Sequence, residues 1–221
     1  MFGVKSKSGH SPDYTILALI FLLTAFGLIM LSSASSELGK IKFNDSYYYI
    51  KNQLINGLVV GLIGFFVMYE INYQYLKKFA LPLFIFSLGL IALVFTKFGV
   101  EINGARRWLD FGPVGFQPAE ILKLTFVIYL AAWLSNPKIQ RAKSFFEGFL
   151  PFIVVSGFMA ILLVLQPATS MVVILLGAGV LVYFLSGAEW KHLLIFGGVA
   201  ALSLVILVYA TPYRMERVLG F

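Results

Sequence analysis

Residues 14–31, YTILALIFLLTAFGLIML, form an unbroken apolar run of the kind that crosses a lipid bilayer. The hydrocarbon layer of a bilayer is about 30 Å thick and needs roughly 20 apolar residues per helical crossing, within a range near 17–25. Six further runs follow, at residues 54–71, 79–95, 116–134, 149–165, 171–185 and 193–210. The sequence therefore predicts an all-α fold, a polytopic transmembrane bundle of seven helices in a single domain over residues 1–221.

The composition is that of a membrane protein. Of the 221 residues, 60% are apolar and 12% are charged, whereas soluble domains are about 45–50% apolar and about 25% charged. The strands of a membrane β-barrel would alternate apolar and polar residues, which these runs do not. The net charge of +7 lies mostly beside the runs, where it favours contact with anionic membrane lipid rather than nucleic acid. The absence of cysteine excludes disulfides and thiol chemistry.

The ends of the first run leave one alternative open. Lys5 and Lys7 precede it and small residues follow it at positions 32–35, which is typical of a cleaved signal peptide. The six later runs favour a retained signal anchor instead. Long connections are predicted at residues 32–53 and 96–115, both opposite the N-terminus, and surface chemistry is expected there. Lysine and arginine are equally frequent on the two sides, so their distribution does not fix the orientation.

An acid and a base stand inside the fourth run. Glu120 and Lys123 are three residues apart, which places them on one helix face; each charge would cost about 2.5–3.5 kcal/mol at the centre of a membrane helix. Pro118 suits the first turn of a helix, and Glu120 would then lie where the helix dipole favours a carboxylate. Either the pair only stabilises the helix start, or it lines a polar cavity that opens to the preceding loop.

Two arginines and a tryptophan precede this pair in residues 103–112, NGARRWLDFG. The planar fork of an arginine binds phosphate, although composition alone favours an aromatic belt in contact with anionic lipid. His10 and His192 are isolated, so no metal site is predicted. Two pairs of glycines, Gly57 with Gly61 and Gly177 with Gly179, predict close helix packing.

Residues 103–135, NGARRWLDFGPVGFQPAEILKLTFVIYLAAWLS, resemble the SEDS family of bacterial cell-wall proteins, which comprises FtsW, RodA and SpoVE. The family typically shows NGARRW, a glycine-rich turn, and then QPSE or QPAE followed by a lysine. Further matching segments are residues 13–35, 47–61, 165–175 and 212–221. The first and last of these resemble the FtsW branch more than the RodA branch.

The resemblance implies about ten transmembrane helices in the bacterial plasma (inner) membrane, with the N-terminus in the cytoplasm and the long loops outside. It implies a peptidoglycan glycosyltransferase that polymerises lipid II during cell division. The implied partners are lipid II, a class B penicillin-binding protein and other divisome proteins. A lipid II carrier (flippase) and a non-catalytic division scaffold are the alternatives. No cofactor is predicted with certainty, and a divalent cation is left open.

The same resemblance implies a substrate cavity lined by Glu120, Lys123, Arg106, Arg107, Gln117 and Lys51. Transfer of a sugar from a diphosphate needs a base for the attacking hydroxyl and positive charge for the departing diphosphate. The chain departs from the family at Asn52, where an arginine is usual, and at Ala168, where an acid is common. The family's catalytic aspartate is expected after Phe221, so no catalytic residue is assigned, and residues 1–221 alone are expected to be inactive.

Overall fold

The computed structural model describes residues 12–102, 105–110, 115–135 and 141–209. Each of the seven apolar runs forms most of one helix within these residues. The helices are α1 (Tyr14–Phe43), α2 (Tyr48–Glu70), α3 (Tyr73–Val94), α4 (Pro118–Leu134), α5 (Phe145–Leu165), α6 (Thr169–Leu185) and α7 (Trp190–Tyr209). Five of them are long and apolar enough to cross a membrane, while α4 and α6 have 17 residues each. The predicted all-α membrane class is confirmed.

The connection predicted at residues 32–53 is wrong, because most of it is helical. Helix α1 continues through the serines to Phe43 and ends at Asn44, whose φ of 54° is left-handed. Ser35 donates its hydroxyl to the Leu31 carbonyl at 2.6 Å, so this side chain is satisfied inside the helix. Helix α2 begins at Tyr48 and contains a π-helical turn at Gln53–Val59. Each apolar run therefore predicts the apolar part of a helix, but not the residues at which the helix begins and ends.

The second long connection holds a small antiparallel sheet that the apolar pattern does not predict. Its strands β1 (Gly99–Ile102), β2 (Ala105–Asp110) and β3 (Gly115–Phe116) lie in the order β1-β2-β3. Phe116, predicted as the start of the fourth helix, belongs to β3, and α4 begins at Pro118 as its proline predicts. A Cβ atom at Gly99 would lie 1.9 Å from the Val94 carbonyl oxygen, so the chain leaves α3 by a turn that only glycine fits.

The chain divides into two compact units, the first ending at Asn72 and the second beginning at Tyr73. In the second unit, α4 packs on α3 and α6, and α5 packs on α6. The core between these helices is formed by fully buried side chains, among them Ile91, Leu122, Phe126, Leu130, Phe152 and Leu163. The hydroxyls of Ser87 on α3 and Thr125 on α4 are 2.8 Å apart and join the two helices inside this core. In a membrane such polar contacts hold helices together where the hydrophobic effect does not.

The glycine pairs have different surroundings. A Cβ atom at Gly179 would lie 3.0 Å from Phe126 Cε1, which confirms close packing of α6 on α4, whereas Gly177 and Gly61 have open space around that position. In the first unit, Gly57 and Gly61 line an apolar groove of about 680 Å³ between α1 and α2. Close packing is therefore confirmed at Gly179 and is wrong at Gly177 and Gly61.

Gly179→Val is expected to lower the free energy of unfolding by about 1–3 kcal/mol, because the new side chain overpacks the contact with Phe126. Gly177→Val is the matched control, since it places the same β-branched residue in the same helix, where it meets open space. Unfolding of the two variants in mixed detergent micelles measures the difference. Equal destabilisation by both would contradict this account of the interface.

Candidate functional site

Glu120 and Lys123 form an ion pair at the start of α4. The distance from Glu120 Oε2 to Lys123 Nζ is 2.8 Å, and their side chains are 51% and 31% exposed. Glu120 lies in the first helical turn, and its N–H donates to the Gln117 carbonyl at 3.0 Å. The predicted helix face and first-turn position are confirmed. An ion pair this exposed contributes only about 0–1 kcal/mol to stability, so its charges remain available to a ligand.

The sheet brings β2, the strand that contains Arg106 and Arg107, beside the beginning of α4. Strand β2 pairs with β3, with Leu109 opposite Phe116, and β3 is followed directly by Gln117 and then by α4. Gln117 is half-buried and has an extended backbone, with φ −103° and ψ 106°. Gln117, Glu120 and the two arginines of β2 thus lie on connected elements at one end of the second unit.

The two adjacent arginines have different surroundings. Arg106 Nε is 3.7 Å from Glu101 Oε2, and both side chains are more than half exposed. Arg107 instead donates from Nε to the Gln166 carbonyl at 3.1 Å and from a terminal guanidinium nitrogen to the Pro167 carbonyl. Arg107 therefore contacts the turn between α5 and α6, while Arg106 stays at the surface.

Gln166 was not predicted as a site residue, although its side chain is fully buried at this end. Its Nε2 donates to the Ile91 carbonyl at 3.2 Å. Ile91 belongs to the last turn of α3, where carbonyls have no partner within the helix. A glutamine directly after an apolar run was the available signal. The neighbouring Ala168, at the position where the resemblance implies an acid, is also buried.

Lys51 belongs to the first unit, and its place in the site stays a prediction. Its Nζ is 2.7 Å from Asp45 Oδ2, and the backbone N–H of Tyr47 donates to Asp45 Oδ1 at 2.9 Å. The hydrogen bond from Lys51, followed by the one from Tyr47, lowers the pKa of the Asp45 carboxyl. Lys51, in the first turn of α2, is therefore paired locally with Asp45, which lies in the short connection between α1 and α2.

A second polar cluster lies around the start of α7, away from the sheet. The Tyr183 hydroxyl donates to the Ala142 carbonyl at 2.9 Å and lies 3.4 Å from His192 Nδ1, and the buried His192 ring stacks on Phe149 at 4.5 Å. No group of three or more His, Cys, Asp or Glu side chains that could hold a metal is found among the described residues. His10 lies outside those residues.

The comparisons with known proteins give one family. A family model described as a cell cycle protein, of FtsW, RodA and SpoVE, matches residues 13–221. The chain is 32% identical over 210 residues to a probable peptidoglycan glycosyltransferase FtsW of Geobacter sp. strain M18, covering 95% of this chain and 57% of the relative. It is also 32% identical over 214 residues to stage V sporulation protein E of Bacillus subtilis strain 168, covering 96% and 57%.

Two solved structures have the same fold over most of the chain. The rod shape determining protein RodA of Thermus thermophilus is 32% identical with a TM-score of 0.58, covering 81% of this chain and 58% of that one. A chain from a structure described as a peptidoglycan synthase complex that coordinates polymerization and crosslinking is 34% identical with a TM-score of 0.62, covering 88% and 57%. The chain thus spans somewhat more than half the length of these relatives.

Lys51→Gln is expected to raise the pKa of Asp45 towards its ordinary value, because the hydrogen bond that lowers it most is lost. Because this pKa is lowered in the folded protein, the pair stabilises the fold above the ordinary carboxyl range and ceases to do so as the pH falls through the lowered pKa. Carbon-13 NMR titration of the aspartate carboxyls in nanodiscs measures the shift. Lys40→Gln, in the last turn of α1, is the control, and an unchanged Asp45 pKa in Lys51→Gln would contradict the pairing.

Proposed function

Because the chain belongs to the cell cycle protein family of FtsW, RodA and SpoVE, we propose that it forms the substrate-binding part of a peptidoglycan glycosyltransferase. The full-length protein would polymerise lipid II into glycan strands during bacterial cell division. The observation that carries the proposal is the half-exposed Glu120–Lys123 ion pair at the start of α4, beside a strand with two arginines. Relatives named peptidoglycan glycosyltransferase support it.

The proposed reaction needs positive charge where a diphosphate departs. A hydroxyl oxygen of one sugar forms a bond to the anomeric carbon of another, that carbon loses its bond to the diphosphate, and the diphosphate keeps the electron pair. The Lys123 ammonium and an arginine of β2 supply cations for the oxygens that gain charge. Glu120 holds Lys123 in position at 2.8 Å. We assign no base for the hydroxyl proton to this chain.

The proposed placement of the site in the membrane follows from the helix ends that lie beside the sheet. Gln166 joins the end of α5 to the end of α3, so the ends of these helices and the starts of α4 and α6 share one face with the sheet. We place this face outside the plasma (inner) membrane and the N-terminus in the cytoplasm, so that a lipid-linked diphosphate reaches the site from the outer leaflet. A class B penicillin-binding protein and other divisome proteins are the proposed partners, with support from the similar chain of a peptidoglycan synthase complex.

A non-catalytic division scaffold is the second candidate. It is favoured by the buried Ala168, at a position where the resemblance implies an acid. The two functions differ in a direct assay, because only the enzyme converts lipid II into glycan. A scaffold would restore division in cells without making polymer, and a lipid II carrier would move lipid II between leaflets without making polymer.

Glu120→Ala is expected to reduce glycan formation by the full-length protein about 10- to 100-fold, because Lys123 loses the partner that positions it. Polymer made from lipid II in proteoliposomes, with the partner penicillin-binding protein present, measures the loss. Glu147→Ala is the matched control, since Glu147 is also an exposed acid in the first turn of a membrane helix, and its activity should be unchanged. Full activity of Glu120→Ala would refute the site, and absence of polymer from the unmodified protein would refute the function.

A further inference from the structure

We infer that the two neighbouring arginines of β2 have separate roles. Arg107 is a positioning residue that holds the sheet on the turn between α5 and α6, and Arg106 is the residue that contacts the anionic group of the substrate. The role of Arg106 rests on the proposed function. The role of Arg107 rests on its contacts alone.

The backbone of the sheet already separates the two residues. Glu101 of β1 pairs with Arg106 and Val100 pairs with Trp108, so Arg107 is left without a partner in β1. This extra residue makes a β-bulge, a feature that redirects a side chain from its place in a regular strand. The bulge allows Arg107 to reach the turn between α5 and α6, while Arg106 stays opposite Glu101.

The guanidinium of Arg107 is held by backbone carbonyls. Its two acceptors, the carbonyls of Gln166 and Pro167, come directly after the end of α5 at Leu165. Carbonyls at a helix C-terminus lack partners within the helix and carry partial negative charge, so they attract a cation. Two forked donors on one planar group meet both carbonyls at once, and a lysine ammonium does not offer this geometry.

The contact extends to a third element. Gln166, whose carbonyl accepts from Arg107, donates its own side-chain amide to the Ile91 carbonyl at the end of α3. Arg107 and Gln166 therefore join β2, the turn after α5 and the end of α3. Because β2 pairs with β3 and β3 runs into α4, loss of Arg107 would also loosen the segment that begins α4 with Glu120.

Arg106 has the opposite properties. Its side chain is 57% exposed, and its contact with Glu101 is long, at 3.7 Å. An exposed ion pair of this kind contributes little and is easily exchanged for another partner. Arg106 can therefore turn its fork towards a diphosphate without disrupting the sheet.

Hydrogen exchange of the sheet amides tests the positioning role without any activity measurement. We compare the full-length protein in nanodiscs with Arg107→Ala, Arg107→Lys, Arg106→Ala and Arg106→Lys, following residues 99–109. Both Arg107 variants should speed exchange about tenfold or more, because the sheet opens locally, while both Arg106 variants should match the unmodified protein. Protection within α3 confirms that each variant folds. Unchanged exchange in Arg107→Ala would overturn the positioning role.

Binding of undecaprenyl diphosphate in nanodiscs of neutral phosphatidylcholine tests the role of Arg106. Arg106→Ala should weaken binding about tenfold, as expected for loss of one hydrogen bond to a charged group, and Arg106→Lys should restore most of it. Arg107→Lys should not restore the binding that Arg107→Ala loses. The reverse pattern of rescue, or unchanged binding in Arg106→Ala, would overturn the assignment. If both tests succeed and the unmodified protein makes no glycan, the proposed function fails, while Arg107 keeps its positioning role and Arg106 keeps only its contact with undecaprenyl diphosphate.

Discussion

Backbone N–H and C=O groups inside the hydrocarbon layer must find partners within the protein, because the layer offers no water. This constraint makes each long apolar run a helix and confines irregular backbone to the helix ends. It also creates a need at those ends, where the last carbonyls have no helical partner. In the second unit, Gln166 and Arg107 meet that need at the ends of α3 and α5. The polar end of the unit is thus a direct consequence of how its helices terminate.

The apolar pattern located the helices well and their ends poorly. Hydropathy reports which residues lie in lipid, whereas a helix continues until a residue or a cap stops it. Helix α1 therefore continues past residue 31 to Asn44, while Pro118 marks the start of α4 because proline fits a first turn. The sheet had no such signal, since its strands are short and pair through a bulge. Gly177 and Gly179 look alike in sequence and differ only in which of them faces α4.

The site was predictable to the extent that its contacts are local. Glu120 and Lys123 are three residues apart on a helix, so spacing alone brings them together. Arg106 and Arg107 are chemically identical neighbours, and their difference arises from acceptors about sixty residues away. Gln166 was missed for the same reason, because its importance lies in a contact with a distant helix end. Lys51 forms an ion pair with Asp45 within the first unit. The position of Lys51 in the sequence relative to Glu120 did not reveal this partner.

The lengths of the helices have a consequence for the surrounding lipid. Helix α1, with 30 residues, is about 45 Å long and can slide or tilt to suit a bilayer of any ordinary thickness. Helices α4 and α6, with 17 residues each, are about 26 Å long and fall short of a hydrocarbon layer of about 30 Å. Both begin at the face that carries the sheet. A bilayer that thins to match them draws headgroups and water inward at that face, towards Glu120 and Lys123.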